Sequence, residues 1–379
     1  MGRDGVCLGK WTGATLVLAA GILLVAGQLR GGQGGAPEAV LQIQNGHVET
    51  RTLQGSLSDE IRRWAAASGK ARWLGYTVPT VNAQRTMCCS NDYGNSNHYC
   101  AACDLEGNGK HVGVKRPEQG PTKVHLETEG MAVLFRAENG KVGNIRVLSL
   151  ECVVDADGLD VAWLETVKAG DSVALLEQFV ITGSPPDDHE ESITKGALMA
   201  IALHADASAD RVLDSFVSAD RPEWLRKEAA FWLGSARGAQ GFQMLHKMAR
   251  SDPSRHVREQ VTFALSVSDQ PGAVEEMIRI AHEDESPQVR GQALFWLAQK
   301  AGKKAESAIA GAIENDPDTE VKKRAVFALS QMPKDEGVTK LIEVAQTNKN
   351  PEVRKQAMFW LGQSQDPRAL AFFEQILAQ

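Results

Sequence analysis

The chain has 379 residues, 43% of them hydrophobic and 23% charged, with 41 Lys and Arg against 48 Asp and Glu. This composition suits an ordered chain of one to three domains and excludes both a disordered protein and a multi-span membrane protein. A formal net charge of -7 argues against a dedicated nucleic-acid binder, which needs a concentrated basic face.

Residues Trp11 to Leu29 carry no charge, with Arg3 and Lys10 before them and Arg30 after. A short basic flank followed by such a run predicts a secretory signal or an uncleaved membrane anchor within residues 1–36. Small residues for cleavage occur at Val25-Ala-Gly27 and Gly34-Gly-Ala36. Both alternatives place the bulk of the chain outside the cytoplasm, periplasmic, secreted or tethered to a membrane through this segment alone.

A small α+β domain containing most of the cysteines is expected over residues 37–180. Ser58 to Ala67 has the spacing of a short amphipathic helix, and Trp73 to Val78 reads as a strand stopped by Pro79. Cys88, Cys89, Cys100 and Cys103 follow in a loop rich in Asn, Asp, Gly and Ser. Three readings stay open for them. Close cysteines in an oxidising compartment form structural disulfides. Cys100-x-x-Cys103 also has zinc-ligand spacing, with His98 or the Cys88-Cys89 pair to complete the set. A redox pair is the third, although such a pair normally opens a helix after a strand. Cys152, in an apolar strand, is expected to be a buried free thiol. Strands are further predicted at Lys123–Glu127, Ala132–Ala137 and Val142–Leu150, with an Asn-Gly hairpin turn at Glu138–Lys141. Asp155 to Gly158 lacks the alternating acids and distant Glu of a calcium loop and is read as a turn. No Ser-His-Asp order, phosphate-cradling loop or His-Glu-x-x-His helix is present, and no cofactor is implied.

After an expected linker over 181–192, the sequence becomes periodic. Leu225-Arg-Lys-Glu-Ala-Ala-Phe-Trp-Leu-Gly234 realigns at Val257, Val289, Val321 and Val353, a spacing of 32 residues each time, with a worn copy from Ile193 to Ala202. A second apolar-periodic helix follows each copy, where Leu245, Met277, Ile309, Leu341 and Phe373 recur at the same interval. Six such units, residues 193–379, predict a helical solenoid. Position eight of the repeat helix alternates Trp232, Ala264, Trp296, Ala328 and Trp360, a large-beside-small pattern expected on the buried side. Position seven is Phe231, Phe263, Phe295, Phe327 and Phe359, which a helical wheel sets opposite the buried stripe; the rings form either an exposed apolar ridge or a packing layer between neighbouring units.

Each unit resembles a HEAT repeat of the short bacterial kind, also called PBS-lyase HEAT-like. The resemblance rests on an acid six residues before a base: Asp220 and Arg226, Asp252 and Arg258, Asp284 and Arg290, Asp316 and Lys322, degenerating to Asp188 with Thr194 and Asn348 with Arg354. It implies an all-α, right-handed superhelical solenoid behind the α+β domain. Its Asp would cap the repeat helix and reach a neighbouring guanidinium, forming a structural ladder. The repeat helix would be the second of each pair, lining the concave face.

Deoxyhypusine hydroxylases, which share the repeat, hold iron through His-Glu pairs at the start of this helix. The matching positions here are Lys227-Glu228, Glu259-Gln260, Gly291-Gln292, Lys323-Arg324 and Lys355-Gln356, so that metal set is missing. His189-Glu190 falls in the expected linker and His282-Glu283 at the end of another helix. The expectation is a non-catalytic scaffold of the cell envelope that binds an unidentified protein along the five phenylalanines. The alternative is an envelope enzyme, or a thiol-redox or metal protein, with its site in the Cys88–Cys103 loop and the solenoid as a substrate arm.

Overall fold

The computed structural model describes residues 40–67, 69–81, 102–106, 122–125, 130–150 and 152–378. The chain divides into two compact units, Met1–Leu175 and Leu176–Gln379. Residues 1–36, Cys88, Cys89, His98 and Cys100 lie outside the described residues, as does the side chain of Cys103. Among the described residues no helix is long and apolar enough to cross a membrane.

The first unit runs β1 (Val40–Gln44), β2 (His47–Thr52), α1 (Leu57–Ala66), β3 (Arg72–Val78), β4 (Ala102–Asp104), β5 (Thr122–His125), β6 (Met131–Glu138), β7 (Lys141–Ser149), β8 (Val153–Asp155), β9 (Asp160–Glu165) and α2 (Ala169–Glu177). Two sheets form, in the orders β4-β8-β1-β5 and β2-β9-β3-β6-β7. Their facing residues make one core: Leu41, Ile43, Cys152 and Val154 from one sheet side, and Trp73, Leu134, Leu148 and Trp163 from the other. On the second sheet's opposite face, Tyr76 and Phe135 are buried, and the Tyr76 hydroxyl meets Ser172 of α2 at 2.7 Å.

Local chemistry sets these elements. Ser56 caps α1 by accepting from the Asp59 amide, and Ile61, Trp64 and Ala65 form its buried face. The β6–β7 hairpin turns through Asn139 at φ 50° and Gly140 at φ 81°, the left-handed pair that a tight hairpin requires. Asp157 and Gly158 do the same after β8, with Asp155 accepting from the Asp157 amide, which is turn chemistry as expected. The structure corrects the reading of Cys152 in one respect: it is fully buried, but disulfide-bonded rather than a free thiol.

In the second unit, each repeat helix alternates with a companion helix: α3 (Asp188–Leu203), α4 (Ala207–Phe216), α5 (Glu223–Ala236), α6 (Gly238–Ser251), α7 (Arg255–Val267) and α8 (Ala273–Glu283). The alternation continues through α9 (Pro287–Ala301), α10 (Lys303–Asn315), α11 (Thr319–Gln331), α12 (Lys334–Thr347), α13 (Pro351–Gln363) and α14 (Pro367–Leu377). Helix α3 starts inside the stretch expected to be a linker. Asp187 and Glu190 exchange side-chain-to-amide bonds at 2.8 and 3.3 Å, a capping box that carries His189-Glu190 into the first helical turn.

The repeat's apolar positions form the core: Leu225, Val257, Val289, Val321 and Val353 are buried, as are Leu233, Leu265, Leu297, Leu329 and Leu361. Helices α5, α7, α9, α11 and α13 stack directly on one another, more intimately than α6, α8, α10, α12 and α14 do. A Cβ on Gly234 would stand 2.1 Å from the Ala264 carbonyl oxygen, so α5 and α7 meet backbone against backbone. Position ten of the repeat helix must be small where helices approach this closely.

Candidate protein-interaction surface

Two regular features run along the stacked repeat helices, one ionic and one aromatic. The ionic one is built from the acid–base pairs. Arg226 donates to both oxygens of Asp252 at 2.8 and 3.1 Å, Arg258 to Asp284 at 2.9 and 3.2 Å, and Arg290 to Asp316 at 2.8 and 2.9 Å. Each pair is bidentate and almost wholly buried, the geometry that makes an Arg–carboxylate contact strong. Each guanidinium also bonds a carbonyl of its own turn, as Arg258 does to Asp252 at 2.8 Å. The bond to Asp284 is the main reason the Arg258 pKa lies above its ordinary value, and Asp316 acts likewise on Arg290.

The aspartates do not cap the repeat helices themselves. The N-cap positions belong to Ser254, Ser286, Asp318 and Asn350. Asp252, Asp284 and Asp316 instead end the preceding helix and accept from the amide two residues on, at 2.8 to 2.9 Å. The ladder stops where its residue types change. Lys322 turns back to the Glu314 carbonyl, and Asn348 bonds the Glu314 side chain. At the other end Asp220 is exposed, and the Ser218 hydroxyl, its strongest partner, keeps its pKa below the usual carboxylate value. All of these contacts lie within or between adjacent units, so the strip is internal structure.

The aromatic feature differs. Phe231 and Phe263 stack at 5.9 Å with 12° between their planes, and Phe295 and Phe327 at 5.8 Å with 5°. Where the next helix carries Trp at position eight, the indole intervenes: Phe263 to Trp296 is 4.9 Å, Trp296 to Phe295 4.8 Å, Phe327 to Trp360 4.8 Å and Trp360 to Phe359 5.0 Å. Trp232 packs on Phe231 in the same way at 5.1 Å. A continuous file of rings thus runs from Trp232 to Phe359, alternating direct stacks with tryptophan bridges.

Trp232 is buried, whereas Trp296 and Trp360 are half-buried, as are Phe231, Phe263, Phe295 and Phe327. Phe359 is 53% exposed. The phenylalanines therefore pack between neighbouring units and still present an apolar edge to solvent, a combination a single-helix wheel does not anticipate. Large contiguous apolar strips on a protein surface mark interaction sites.

Among the described residues no group of His, Cys, Asp and Glu is arranged to hold a metal ion. One cleft of about 490 Å³, on helices α6 and α8, is lined by Phe242, His246, Arg250, Glu276 and Arg279. Its buried Glu276 is already engaged, by Arg279 at 2.7 Å and His246 at 3.0 Å.

The family model for HEAT repeats matches residues 210–298, 274–359 and 305–379. The C-terminal half of this chain is a HEAT-repeat array. Solved structures with similar arrays include human deoxyhypusine hydroxylase in complex with glycerol, at 18% identity over 56% of this chain and 80% of that one, TM-score 0.30. The Escherichia coli protein YibA is 23% identical over 54% and 76%, TM-score 0.35. The complex of CpcE and CpcF of phycocyanin lyase from Nostoc sp. PCC7120 is 19% identical over 52% and 77%, TM-score 0.29. These likenesses assign no activity to this chain. No curated protein matches the sequence.

Proposed function

We propose that this chain is a non-catalytic scaffold of the cell envelope that takes a protein partner along the aromatic file of α5, α7, α9, α11 and α13. The observation that carries the reading is the half-exposed line of Phe231, Phe263, Phe295, Phe327 and Phe359, held in fixed register by the ring contacts described above. A repeat scaffold fixes its side chains before the partner arrives, which lowers the ordering cost of binding. An envelope location is supported by the uncharged run Trp11–Leu29 and by the disulfide at Cys152, since disulfides persist in oxidising compartments.

The test is crosslinking capture from intact envelopes, comparing the native chain with a Phe263→Ser, Phe295→Ser variant whose helical content is checked by circular dichroism. Loss of the captured partner from a folded variant is the expected result. Unchanged capture by that variant would rule out the aromatic file as the binding surface, and a variant that fails to fold would show its rings to be core.

A further inference from the structure

The residues one turn away from the phenylalanines, at positions three and four of each repeat helix, are charged unevenly along the array. Lys227 and Glu228 balance each other on α5, Glu259 and Gln260 give α7 one negative charge, and Gly291 and Gln292 leave α9 neutral. On α11 and α13 the corresponding residues are Lys323, Arg324, Lys355 and Gln356. Two acids lie near them and both act on one lysine. Glu320 bonds Lys323 at 2.9 Å, and Glu352 adds to the raised pKa of the same residue. Arg324 and Lys355 are exposed and have no carboxylate partner among the described residues.

Arg324 is also held in place. A Cβ on Gly291 would stand 2.3 Å from its Cδ, so the glycine makes room for the arginine stem to lie on α9. Its Nη1 reaches the Gln288 carbonyl at 3.4 Å. Arg324 thus stands one turn before Phe327 on α11, with its stem against Gly291, one turn before Phe295 on α9, while Lys355 stands one turn before Phe359 on α13. Phe359 and Met358 are exposed there, at 53% and 36%.

We infer that the segment this surface takes is both apolar and acidic: its aromatic or aliphatic side chains lie along Phe295, Phe327 and Phe359, and its carboxylates meet Arg324 and Lys355. The inference rests on the reading of the aromatic file as a binding surface and adds the charge of the occupant. Unpaired cations flanking an apolar strip select acidic partners and repel basic ones. The negative charge on α7 adds direction, because a segment with its acidic end over α11 and α13 avoids Glu259.

The test uses the full chain and two fluorescein-labelled octapeptides of sequence DEFDLFED and KKFKLFKK, read by fluorescence anisotropy at low salt. The acidic peptide should bind roughly tenfold more tightly, as expected for two exposed charge contacts. The preference should vanish in an Arg324→Gln, Lys355→Gln variant and shrink as added salt screens the charges. Equal affinity for both peptides, or preference for the basic one, overturns the charge assignment while leaving the aromatic surface standing. Binding of neither peptide by a folded chain overturns the surface itself, and the assignment with it.

Discussion

The Phe263 ring on α7 lies 4.9 Å from the Trp296 indole on α9, and Trp296 in turn lies 4.8 Å from Phe295 of its own helix. One indole therefore joins two units whose phenylalanines do not stack directly. Replacing Trp296 with Ala opens a gap between Phe263 and Phe295. Because the indole is half-buried, the cost should be about 2–4 kcal/mol, below that of a fully buried aromatic. Trp232, which is buried, should cost more when changed to Ala. Trp296 Nε1 is enclosed without a hydrogen-bond partner among the described residues, so Trp296→Phe removes an unsatisfied donor and should cost much less than Trp296→Ala. Urea denaturation of the three variants gives the order, and an unchanged midpoint for Trp296→Ala would show that the bridge contributes nothing.

The ionic ladder makes a separate prediction. Arg258→Ala leaves the Asp284 carboxylate buried, its two strongest donors gone, and should destabilise the array by about 3–5 kcal/mol. Arg258→Lys keeps the charge but not the planar fork that reaches both oxygens, and should fall between the native chain and Arg258→Ala. Changing Arg258 and Asp284 together to Met and Leu removes both buried charges and should recover much of the loss. The same denaturation measurement checks all three. Equal midpoints for Arg258→Ala and the native chain would mean that Asp284 is adequately solvated without its partner.

The array was legible because a 32-residue period repeats packing, turn and charge together, and each unit confirms its neighbour. Both placements of Phe263, outward as a ridge or packed between units, were legible as alternatives, but not that the ring does both. A wheel considers one helix, whereas the ring is half covered by Trp296 from the next. The first unit was harder to read. β2, His47–Thr52, is nearly all polar on its exposed face and pairs in parallel with β9, Asp160–Glu165, far along the chain. No local pattern announces such a partner. Val40–Gln44 did carry an alternation, with Leu41 and Ile43 turned inward, and the Asp187–Glu190 capping box was present in the sequence. The aromatic file itself could be traced as a register of phenylalanines, while the free cations beside it emerged only once Glu320 and Glu352 were seen to act on Lys323.

Cysteine chemistry should separate the two units. Cys152 is disulfide-bonded inside the core formed with Trp73, Leu148 and Trp163, and the chain beyond it contains no cysteine. Reductant should therefore loosen the first unit and leave the helical signal of the array intact. Near-ultraviolet circular dichroism and far-ultraviolet ellipticity, followed through the same titration, check this. Intact mass after alkylation of protein taken from the envelope supplies a second measurement. Free thiol at Cys152 there would contradict the bonded state.

A buried histidine gives the array a defined acid sensitivity. His204 is completely enclosed at the end of α3, where its Nδ1 donates to the Ala200 carbonyl at 2.6 Å and Arg237 donates to its own carbonyl at 2.7 Å. Burial pushes its pKa down to about 4, outweighing the hydrogen bond to Ala200, which acts in the opposite direction. In the unfolded chain the ring titrates near 6.5, so the unfolded state binds a proton that the folded state refuses. Stability is therefore complete above about pH 6.5 and falls as the pH drops toward 4, by roughly 3 kcal/mol in all. His204→Gln removes the titration and should flatten this part of the profile, although at pH 7.5 it will lower stability by whatever packing it disturbs. Melting temperatures of both proteins at half-unit steps from pH 7.5 to 4 decide the matter. Parallel profiles would mean that the acid sensitivity comes from carboxylates elsewhere and that His204 is protonated without unfolding the helix around it.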